Sequence, residues 1–231
     1  MIKVKDLKKK YKSTLALNIE ELEITPNESV GLVGNNGAGK TTFMNLILDL
    51  VEVTEGKVYS KNMVVSETEE WKKYTGSYLD EGFLIDFLTP GEYFHFVGKL
   101  YGLNSLEIED FFARIPDFFE EEILKDKKLI RNFLKGNKSK IGIMAALLGN
   151  PEVVILDEPF AHLDPGSQIK LRNILKSHQE NNKTTFLISS HDLKQVTEIC
   201  DRIILIDKGE IKKDIKTTKE TLADLETYFA V

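Results

Sequence analysis

The sequence predicts an α/β fold with a parallel sheet at its core, and three observations support this prediction. The segments VVILD (153–157), TFLIS (185–189) and IILID (203–207) are continuous apolar runs, as expected of strands buried on both faces of a parallel sheet. A fourth apolar run, SVGLVG (29–34), enters a glycine-rich turn that a helical pattern follows. Residues 105–149 lack strand alternation and are typical of helices. We therefore expect an α/β core that is interrupted by a helical insertion.

The composition is typical of a soluble globular chain. Of the 231 residues, 42% are hydrophobic and 29% are charged, and the formal net charge is −6. This acidic balance disfavours a nucleic-acid partner, because no basic stripe is left to neutralise phosphates. The single cysteine, Cys200, excludes an intramolecular disulfide and fits a reducing compartment. We expect it in the core, on one helical face with Leu193 and Val196.

No targeting or membrane-spanning segment is indicated. The first residues, MIKVKDLKKKY, contain no apolar stretch, and no window approaches about 18 apolar residues. We therefore expect a chain that is neither secreted nor membrane-spanning. If it serves a membrane, another subunit must span it.

Residues 1–30 are expected to form strands joined by charged turns. IKVKDL and TLALNIEELEI read as strands, and Pro26-Asn27-Glu28 reads as a turn. After the glycine-rich turn, apolar residues recur at i, i+3, i+4 and i+7, which predicts one face of a helix. These residues are Phe43, Leu46, Ile47 and Leu50.

The middle of the chain carries helix signals. Thr89-Pro90-Gly91-Glu92 has the pattern of a capping box, and it opens a helix that is expected to end near Tyr101-Gly102. The insertion is therefore placed at roughly 86–150. It would interrupt an α/β core formed by residues 1–85 and 151–231.

Two further signals lie in the second part of the core. Asp164-Pro165 is a cap followed by proline at the first helical position, which predicts another helix. Asp207-Lys208-Gly209-Glu210 predicts a turn before a final strand.

A phosphate-binding loop is predicted at residues 34–41. The segment GNNGAGKT matches G-x-x-x-x-G-K-[ST] between an apolar strand and a helix. Its glycines let the backbone approach phosphate oxygens, and the amides at the helix N-terminus favour an anion. Lys40 supplies a positive charge to the β- and γ-phosphates, and Thr41 offers a hydroxyl to Mg²⁺. The predicted ATP-binding residues are Gly34, Asn35, Asn36, Gly37, Ala38, Gly39, Lys40, Thr41 and Thr42.

The acidic partner of this loop is predicted at VVILDE (153–158). Asp157, at the end of a buried strand, can hold Mg²⁺ directly or through water. Glu158 is placed to orient and deprotonate an attacking water. The sequence thus predicts Thr41 and Asp157 as metal ligands and Glu158 as a catalytic base.

In their order, these motifs resemble the nucleotide-binding subunit of ATP-binding-cassette (ABC) transporters. The resemblance covers nearly the whole chain and implies a single ABC ATPase domain over residues 1–231. It implies a P-loop NTPase (RecA-like) core, an N-terminal antiparallel β subdomain and an inserted α-helical subdomain. It also implies a head-to-tail dimer around two ATP molecules, working with a membrane-spanning permease.

The resemblance extends to three shorter features. AHLD (161–164) resembles the D-loop that crosses between subunits, with His162 as scaffold. SSHDL (189–193) resembles the switch region, in which His191 would contact the γ-phosphate as a catalytic residue. Tyr11 lies where the family carries an aromatic residue that stacks on adenine. The alternative for Tyr11 is an aromatic residue packed at a strand end.

One departure from the family lies at the junction between core and insertion. The family has a glutamine there that touches Mg²⁺ and water, and the matching position is Asp80, or Glu81 with a one-residue slip. A carboxylate binds Mg²⁺ well, so Asp80 is expected as a further metal ligand. It also adds negative charge near Asp157 and Glu158.

A second departure lies at residues 133–137, FLKGN, which align with the family's L-S-G-G-Q signature. The match of residues 141–159 anchors this alignment without a gap. In the family, the serine hydroxyl and the helix-start amides clasp the γ-phosphate held by the opposite subunit. Leu134 removes that hydroxyl, whereas Gly136 remains and Lys135 adds a cation. The resemblance thus implies nucleotide contacts from Leu134, Lys135 and Gly136 through a weakened or rebuilt clasp.

Taken together, the resemblance implies an ATPase subunit that powers a separate permease. Such a protein would be cytoplasmic and peripheral on the inner face of the cell membrane. LTPGEYFHFVGKLYGL (88–103) resembles the ATPases of bacterial two-component exporters, which favours export. Nearby aromatic residues are expected to divide about equally between a groove for the permease and the core. They are Phe83, Phe87, Tyr93, Phe94, Phe96 and Tyr101.

Several alternatives stay open. The chain can pair with itself or with a different cassette. A nucleotide-binding regulatory subunit with weak hydrolysis is a second candidate, and a soluble ABC-type remodelling ATPase is a third. The regulatory subunit is supported by Asp80 and Leu134 and opposed by Glu158 and His191.

Overall fold

The computed structural model describes residues 1–115, 118, 123–124 and 127–230. Short 3-10 turns lie at Val65–Glu67, Glu70–Tyr74, Glu81–Phe83 and Ile130–Asn132. The strands are β1 (Ile2–Tyr11), β2 (Thr14–Ile24), β3 (Ser29–Val33), β4 (Glu55–Ser60), β5 (Met63–Val64), β6 (Thr75–Tyr78), β7 (Val153–Leu156), β8 (Thr185–Ser190), β9 (Arg202–Asp207) and β10 (Glu210–Lys216). The helices are α1 (Lys40–Ile47), α2 (Pro90–Leu100), α3 (Ser105–Ala113), α4 (Lys135–Leu147), α5 (Pro165–Asn182), α6 (Leu193–Ile199) and α7 (Thr221–Phe229).

The strands form two sheets. The larger sheet has the order β10-β9-β3-β8-β7-β6, and all its pairs are parallel except β10 with β9. The smaller sheet, of order β2-β1-β4-β5, is antiparallel. Every residue of β3, β7 and β8 is buried, as expected of strands covered on both faces. The predicted α/β fold with a parallel core and an N-terminal antiparallel sheet is confirmed.

Between β6 and β7, the described residues form helices and turns. Thr89 caps α2: its hydroxyl accepts a hydrogen bond from the Glu92 amide, and the Glu92 carboxylate accepts one from the Thr89 amide. The helix ends at Leu100, as the sequence predicts. The helical prediction for 105–149 partly falls on residues 116, 117, 119–122, 125 and 126, which lie outside the described residues. The division into a core and a subdomain at 86–150 stays a prediction.

Three details of the helices differ from the sequence prediction. Asp49 adopts a left-handed conformation, with φ 52°, and the chain leaves α1 before Leu50, whose side chain is 48% exposed. Leu50 is therefore not on the apolar face of α1. Cys200 is buried, as expected, but α6 ends one residue earlier and Cys200 has an extended backbone. Burial raises the pKa of its thiol. Periodicity had also given no sign of α7, which the fully buried Leu225 anchors.

Helix α4 lies directly against β6. The Tyr78 hydroxyl donates a hydrogen bond of 3.0 Å to the Ser139 hydroxyl. At Gly76, a β-carbon would clash with the carbonyl oxygen of Ala146. Only glycine therefore allows this approach, which holds the last turn of α4 against the start of β6.

This packing predicts the effect of Gly76→Ala. We expect the free energy of unfolding to fall by about 1–3 kcal/mol, because the added methyl group pushes α4 away from the sheet. Urea denaturation monitored by circular dichroism measures this change. Ser77→Ala is the matched control, since Ser77 is exposed on the same strand and its replacement should change stability by less than about 0.5 kcal/mol. Equal stability of the two variants would show that the contact between β6 and α4 is looser than described.

Candidate active site

Two adjoining cavities lie where the parallel strands end. The first, of about 440 Å³, is lined by residues 35–42, by residues 14–16 of β2, and by Asp157, Glu158 and Lys208. The second, of about 420 Å³, is lined by Gly34, Asn35, Asn36, Glu158, His191, Leu193 and Phe229. The cavities share Asn35, Asn36 and Glu158. All of the phosphate-loop residues that the sequence predicts therefore lie at these two cavities.

The phosphate loop presents donors to the cavity. Gly39 precedes α1 in a left-handed conformation, with φ 114°, and no side chain caps the helix. The first amides of α1 thus keep their hydrogen-bonding capacity for an anion. The Lys40 ammonium group is largely buried and donates to the Gly34 carbonyl at 2.6 Å. This set of amides with one ammonium group fits a polyphosphate.

Asp157 joins the ends of three parallel strands. Its Oδ2 accepts a hydrogen bond of 2.6 Å from the hydroxyl of Thr41, which follows β3. Its Oδ1 accepts a hydrogen bond from the hydroxyl of Ser189, at the end of β8. The Ser189 hydroxyl in turn accepts one of 2.9 Å from the Glu158 amide. The predicted metal ligands Thr41 and Asp157 are therefore in contact.

The oxygens of Thr41 and Asp157 fit Mg²⁺ only if a bound phosphate and water supply the remaining ligands. Among the residues that the structure describes, no group of three or more His, Cys, Asp or Glu side chains could hold a metal ion. Mg²⁺ is commonly bound through one or two protein oxygens together with phosphate oxygens and water. Thr41 Oγ1 and Asp157 match that pattern beside the phosphate loop.

Glu158 and His191 form a second contact at the strand ends. Glu158 Oε2 lies 2.7 Å from His191 Nδ1 and accepts a hydrogen bond of 3.2 Å from the His191 amide. With Nδ1 as the donor, the imidazole keeps Nε2 free to face the second cavity. Glu158 has φ 47°, a left-handed conformation that is uncommon for glutamate. The two predicted catalytic residues are thus brought together.

Tyr11, the predicted adenine-stacking residue, lies outside this cluster. Its side chain is 46% exposed, and the Lys9 ammonium group lies 4.9 Å from the centre of its ring. Tyr11 is absent from the described lining of both cavities. Its role in adenine stacking stays a prediction.

Asp80 is not brought to the predicted metal ligands. Its carboxylate accepts a hydrogen bond of 2.5 Å from the Gly82 amide and so caps the turn at Glu81–Phe83. Glu81 pairs instead with Lys135, at 3.2 Å. Neither acidic residue lines the cavities among the described residues. The carboxylate of Asp80 is held by its own turn, and its role as a metal ligand stays a prediction.

Leu134 stands at the N-cap of α4, where no side chain caps the helix, and it is 82% exposed. At Gly136, a β-carbon would lie 2.7 Å from the His162 carbonyl oxygen. The start of α4 is therefore packed onto the segment 161–164. Leu134, Lys135 and Gly136 do not line the described parts of either cavity in this chain. Their role in nucleotide contact stays a prediction.

Three residues of the site had no predicted role. Ser189 was quoted only as part of an apolar strand and a switch-like motif, and the structure shows that it joins Asp157 to Glu158. Lys208 was part of a turn signal, and it lines the first cavity. Phe229 had no signal, because it belongs to α7 and reaches the second cavity from the far end of the chain.

No helix in the described part of the chain is both long and apolar enough to cross a membrane.

The chain matches known proteins over most of its length. A sequence model of the ABC transporter family matches residues 17–161. An uncharacterized ABC transporter ATP-binding protein of Synechocystis is 32% identical over 192 residues, or 82% of this chain, and the match spans 53% of that relative. The linearmycin resistance ATP-binding protein LnrL of Bacillus subtilis is 36% identical over 216 residues, which cover 91% of this chain and 68% of LnrL.

A solved structure matches as well. It is the dimeric, post-hydrolysis state of the ATP-binding cassette MJ0796 bound to ADP and Pi, which is 25% identical. The TM-score is 0.84, with 94% of this chain and 99% of that chain covered. The sequence matches and the structural match thus point to the same family. The chain therefore belongs to the ABC transporter family, as one of its ATPase cassettes.

Proposed function

We propose that this protein hydrolyses ATP with Mg²⁺ as the ATP-binding subunit of a transporter and drives a separate membrane-spanning permease. The contact between Glu158 and His191, at 2.7 Å, carries this proposal. It supports the proposal because hydrolysis of a terminal phosphate requires a proton acceptor and a group that orients it beside the bound phosphates.

Each group has a defined task in this mechanism. The α1 amides and Lys40 bind the phosphates, and Thr41 and Asp157 hold the metal ion. Mg²⁺, when bound, neutralises charge on the phosphate oxygens. Glu158 accepts the proton of the attacking water, and His191 holds the Glu158 carboxylate in place and reaches the γ-phosphate through Nε2.

An exposed apolar surface supports a membrane partner. Of the aromatic residues from 83 to 101, Tyr93 and Phe94 are buried, whereas Phe83, Phe87 and Phe96 are 45–65% exposed. Phe96 and Leu100 lie four residues apart on α2 and so share a face. Several large apolar side chains exposed within one short segment, residues 83–100, favour contact with another protein. We assign this surface to the permease, with the protein held at the inner face of the membrane.

Export is the favoured direction of transport. Residues 88–103 resemble the ATPases of two-component exporters, and a relative is named for resistance to linearmycin. Resistance to a toxic compound through an ABC transporter fits removal of that compound.

The start of α4 is assigned to a composite site. A dimeric cassette is among the matching structures, and the exposed Leu134 requires a second subunit to reach a nucleotide. Both a homodimer and a pair with a different cassette accommodate this arrangement. A regulatory subunit with weak hydrolysis is the second candidate, because the N-cap of α4 lacks a side-chain acceptor.

Glu158→Gln tests the catalytic assignment. We expect turnover to fall about 100-fold or more, because the carboxamide keeps the shape of the side chain but cannot accept a proton. ATP binding should be retained, and the ATP-bound protein should accumulate as a dimer in size-exclusion chromatography. Glu109→Gln, on the exposed side of α3, is the control. Hydrolysis by Glu158→Gln at the parental rate would show that Glu158 is not the base.

The double substitution Phe87→Ser and Phe96→Ser tests the membrane partner. In the cells that produce the protein, we expect the membrane-bound fraction to fall severalfold, because apolar contact area with the permease is lost. Quantitative immunoblotting of membrane and soluble fractions measures this change. Ile169→Ser on α5 is the control, since Ile169 is also exposed, at 54%. A parental protein that does not associate with membranes at all would contradict the permease assignment.

Leu134→Ser tests the composite site. If two copies pair and clasping of the γ-phosphate limits the rate, the restored hydroxyl should raise turnover of the purified protein about tenfold or more. A coupled ATPase assay and the ATP-dependent monomer–dimer equilibrium provide the two readouts. If both are unchanged, the missing hydroxyl does not limit this site in the homodimer.

A further inference from the structure

The turn between β9 and β10 brings a second lysine to the nucleotide cavity. Lys208 lines the first cavity together with the phosphate loop. Among the described residues that line the two cavities, the lysines are Lys40 and Lys208, and the carboxylates are Asp157 and Glu158. Lys208 therefore contributes half of the lysine charge available to a polyanion.

The turn is held firmly against the phosphate loop. The Gly209 amide donates a hydrogen bond of 2.8 Å to the carbonyl of Ala38, within the loop, and the Asn18 amide donates one of 2.7 Å to the Gly209 carbonyl. Gly209 has φ 80°, and a β-carbon there would lie 2.6 Å from the Ala16 carbonyl oxygen. Lys208 is thus one residue away from a backbone that is clamped between β2 and the loop.

The ammonium group of Lys208 is available for a ligand. Within the described part of the chain, Lys208 is exposed and forms neither a hydrogen bond nor an ion pair from its side chain. Its neighbours on the hairpin are engaged: Lys212 pairs with Glu210 at 2.6 Å, and Lys213 lies over the ring of Tyr228.

The position of Lys208 indicates which part of a nucleotide it meets. It shares the first cavity with residues 14–16 of β2 but does not line the second cavity, where His191 lies. It thus approaches from the β2 side and not from the side of the switch histidine. Glu158 lines both cavities, so the distinction rests on two other observations: Lys208 shares no cavity with His191, and its turn is hydrogen-bonded to Ala38 in the phosphate loop. This arrangement favours the phosphates nearer the ribose over the γ-phosphate.

We propose that Lys208 is a second cation for the bound nucleotide and acts on the phosphates that ATP and ADP share. The inference rests on the proposed nucleotide site and adds a residue to it. Because the group is exposed, its contribution is modest and screened by salt. We expect its loss to weaken ATP and ADP binding by a similar factor, about three- to tenfold at low ionic strength.

Lys208→Asn is the variant of choice. Lys208 has φ 48°, and asparagine tolerates this left-handed conformation better than other neutral residues that carry a side chain. The charge is thereby removed without added backbone strain. Lys208→Arg keeps the charge and should restore at least half of the lost affinity. Lys212→Asn on the same hairpin is the matched control and should bind like the parent.

The experiment is a fluorescence titration of each variant with ATP and ADP analogues, at low salt and at 0.5 M NaCl. The inference predicts that Lys208→Asn weakens both nucleotides at low salt and that the difference shrinks at high salt. It is overturned if both affinities are unchanged, if ATP alone weakens, or if Lys212→Asn has the same effect. Thermal unfolding without nucleotide, equal to that of the parent, shows that the turn is intact.

Lys40→Ala separates this inference from the proposed function. If it abolishes nucleotide binding while Lys208→Asn has no effect, only the role of Lys208 is wrong. If Lys40→Ala, like Lys208→Asn, leaves the affinities for ATP and ADP unchanged, the nucleotide site itself is misassigned.

Discussion

The hydrogen bonds of Asp157 are the constraint on which the site depends. This carboxylate is only 8% exposed, and a buried carboxylate requires partners to offset its desolvation. Thr41, which follows β3, and Ser189, on β8, supply them from one side of β7. On the other side, the Asp157 amide donates to the Tyr78 carbonyl of β6 at 2.8 Å. Hydrogen bonds thus link four strands, β3, β6, β7 and β8, where they end. Glu158 and His191 follow two of these strands.

The two halves of a nucleotide-binding cassette are built differently here. The phosphate loop, Asp157 and Glu158 are held by short hydrogen bonds within the chain. The start of α4 instead has an exposed Leu134, with the Lys135 side chain drawn to Glu81. The contact between Gly136 and the His162 carbonyl nevertheless keeps α4 close to the segment 161–164. The backbone at the start of α4 is therefore packed on its neighbour although the side chain of Leu134 is exposed.

Much of the site was predictable because its signals are local. A glycine-rich turn between a strand and a helix, or two carboxylates after an apolar run, constrains only a few consecutive residues. The links between such segments depend on strand order, which periodicity does not reveal. The Ser189–Asp157 hydrogen bond exists because β8 lies between β3 and β7, and Lys208 reaches the cavity because β9 lies beside β3. The prediction that Leu50 lies on the apolar face of α1 was wrong, because apolar spacing gives no sign of the left-handed residue Asp49.

The backbone of Glu158 does not suit the residue that stands there. Its φ of 47° suits glycine or asparagine and costs a glutamate on the order of 1–2 kcal/mol. Either of those residues would relax the main chain, but it would also remove the carboxylate that contacts the amide and the imidazole of His191. A substitution at Glu158 therefore changes main-chain strain and site chemistry together, with opposite effects on the free energy of unfolding. Unchanged stability of such a variant would not mean that the carboxylate is idle.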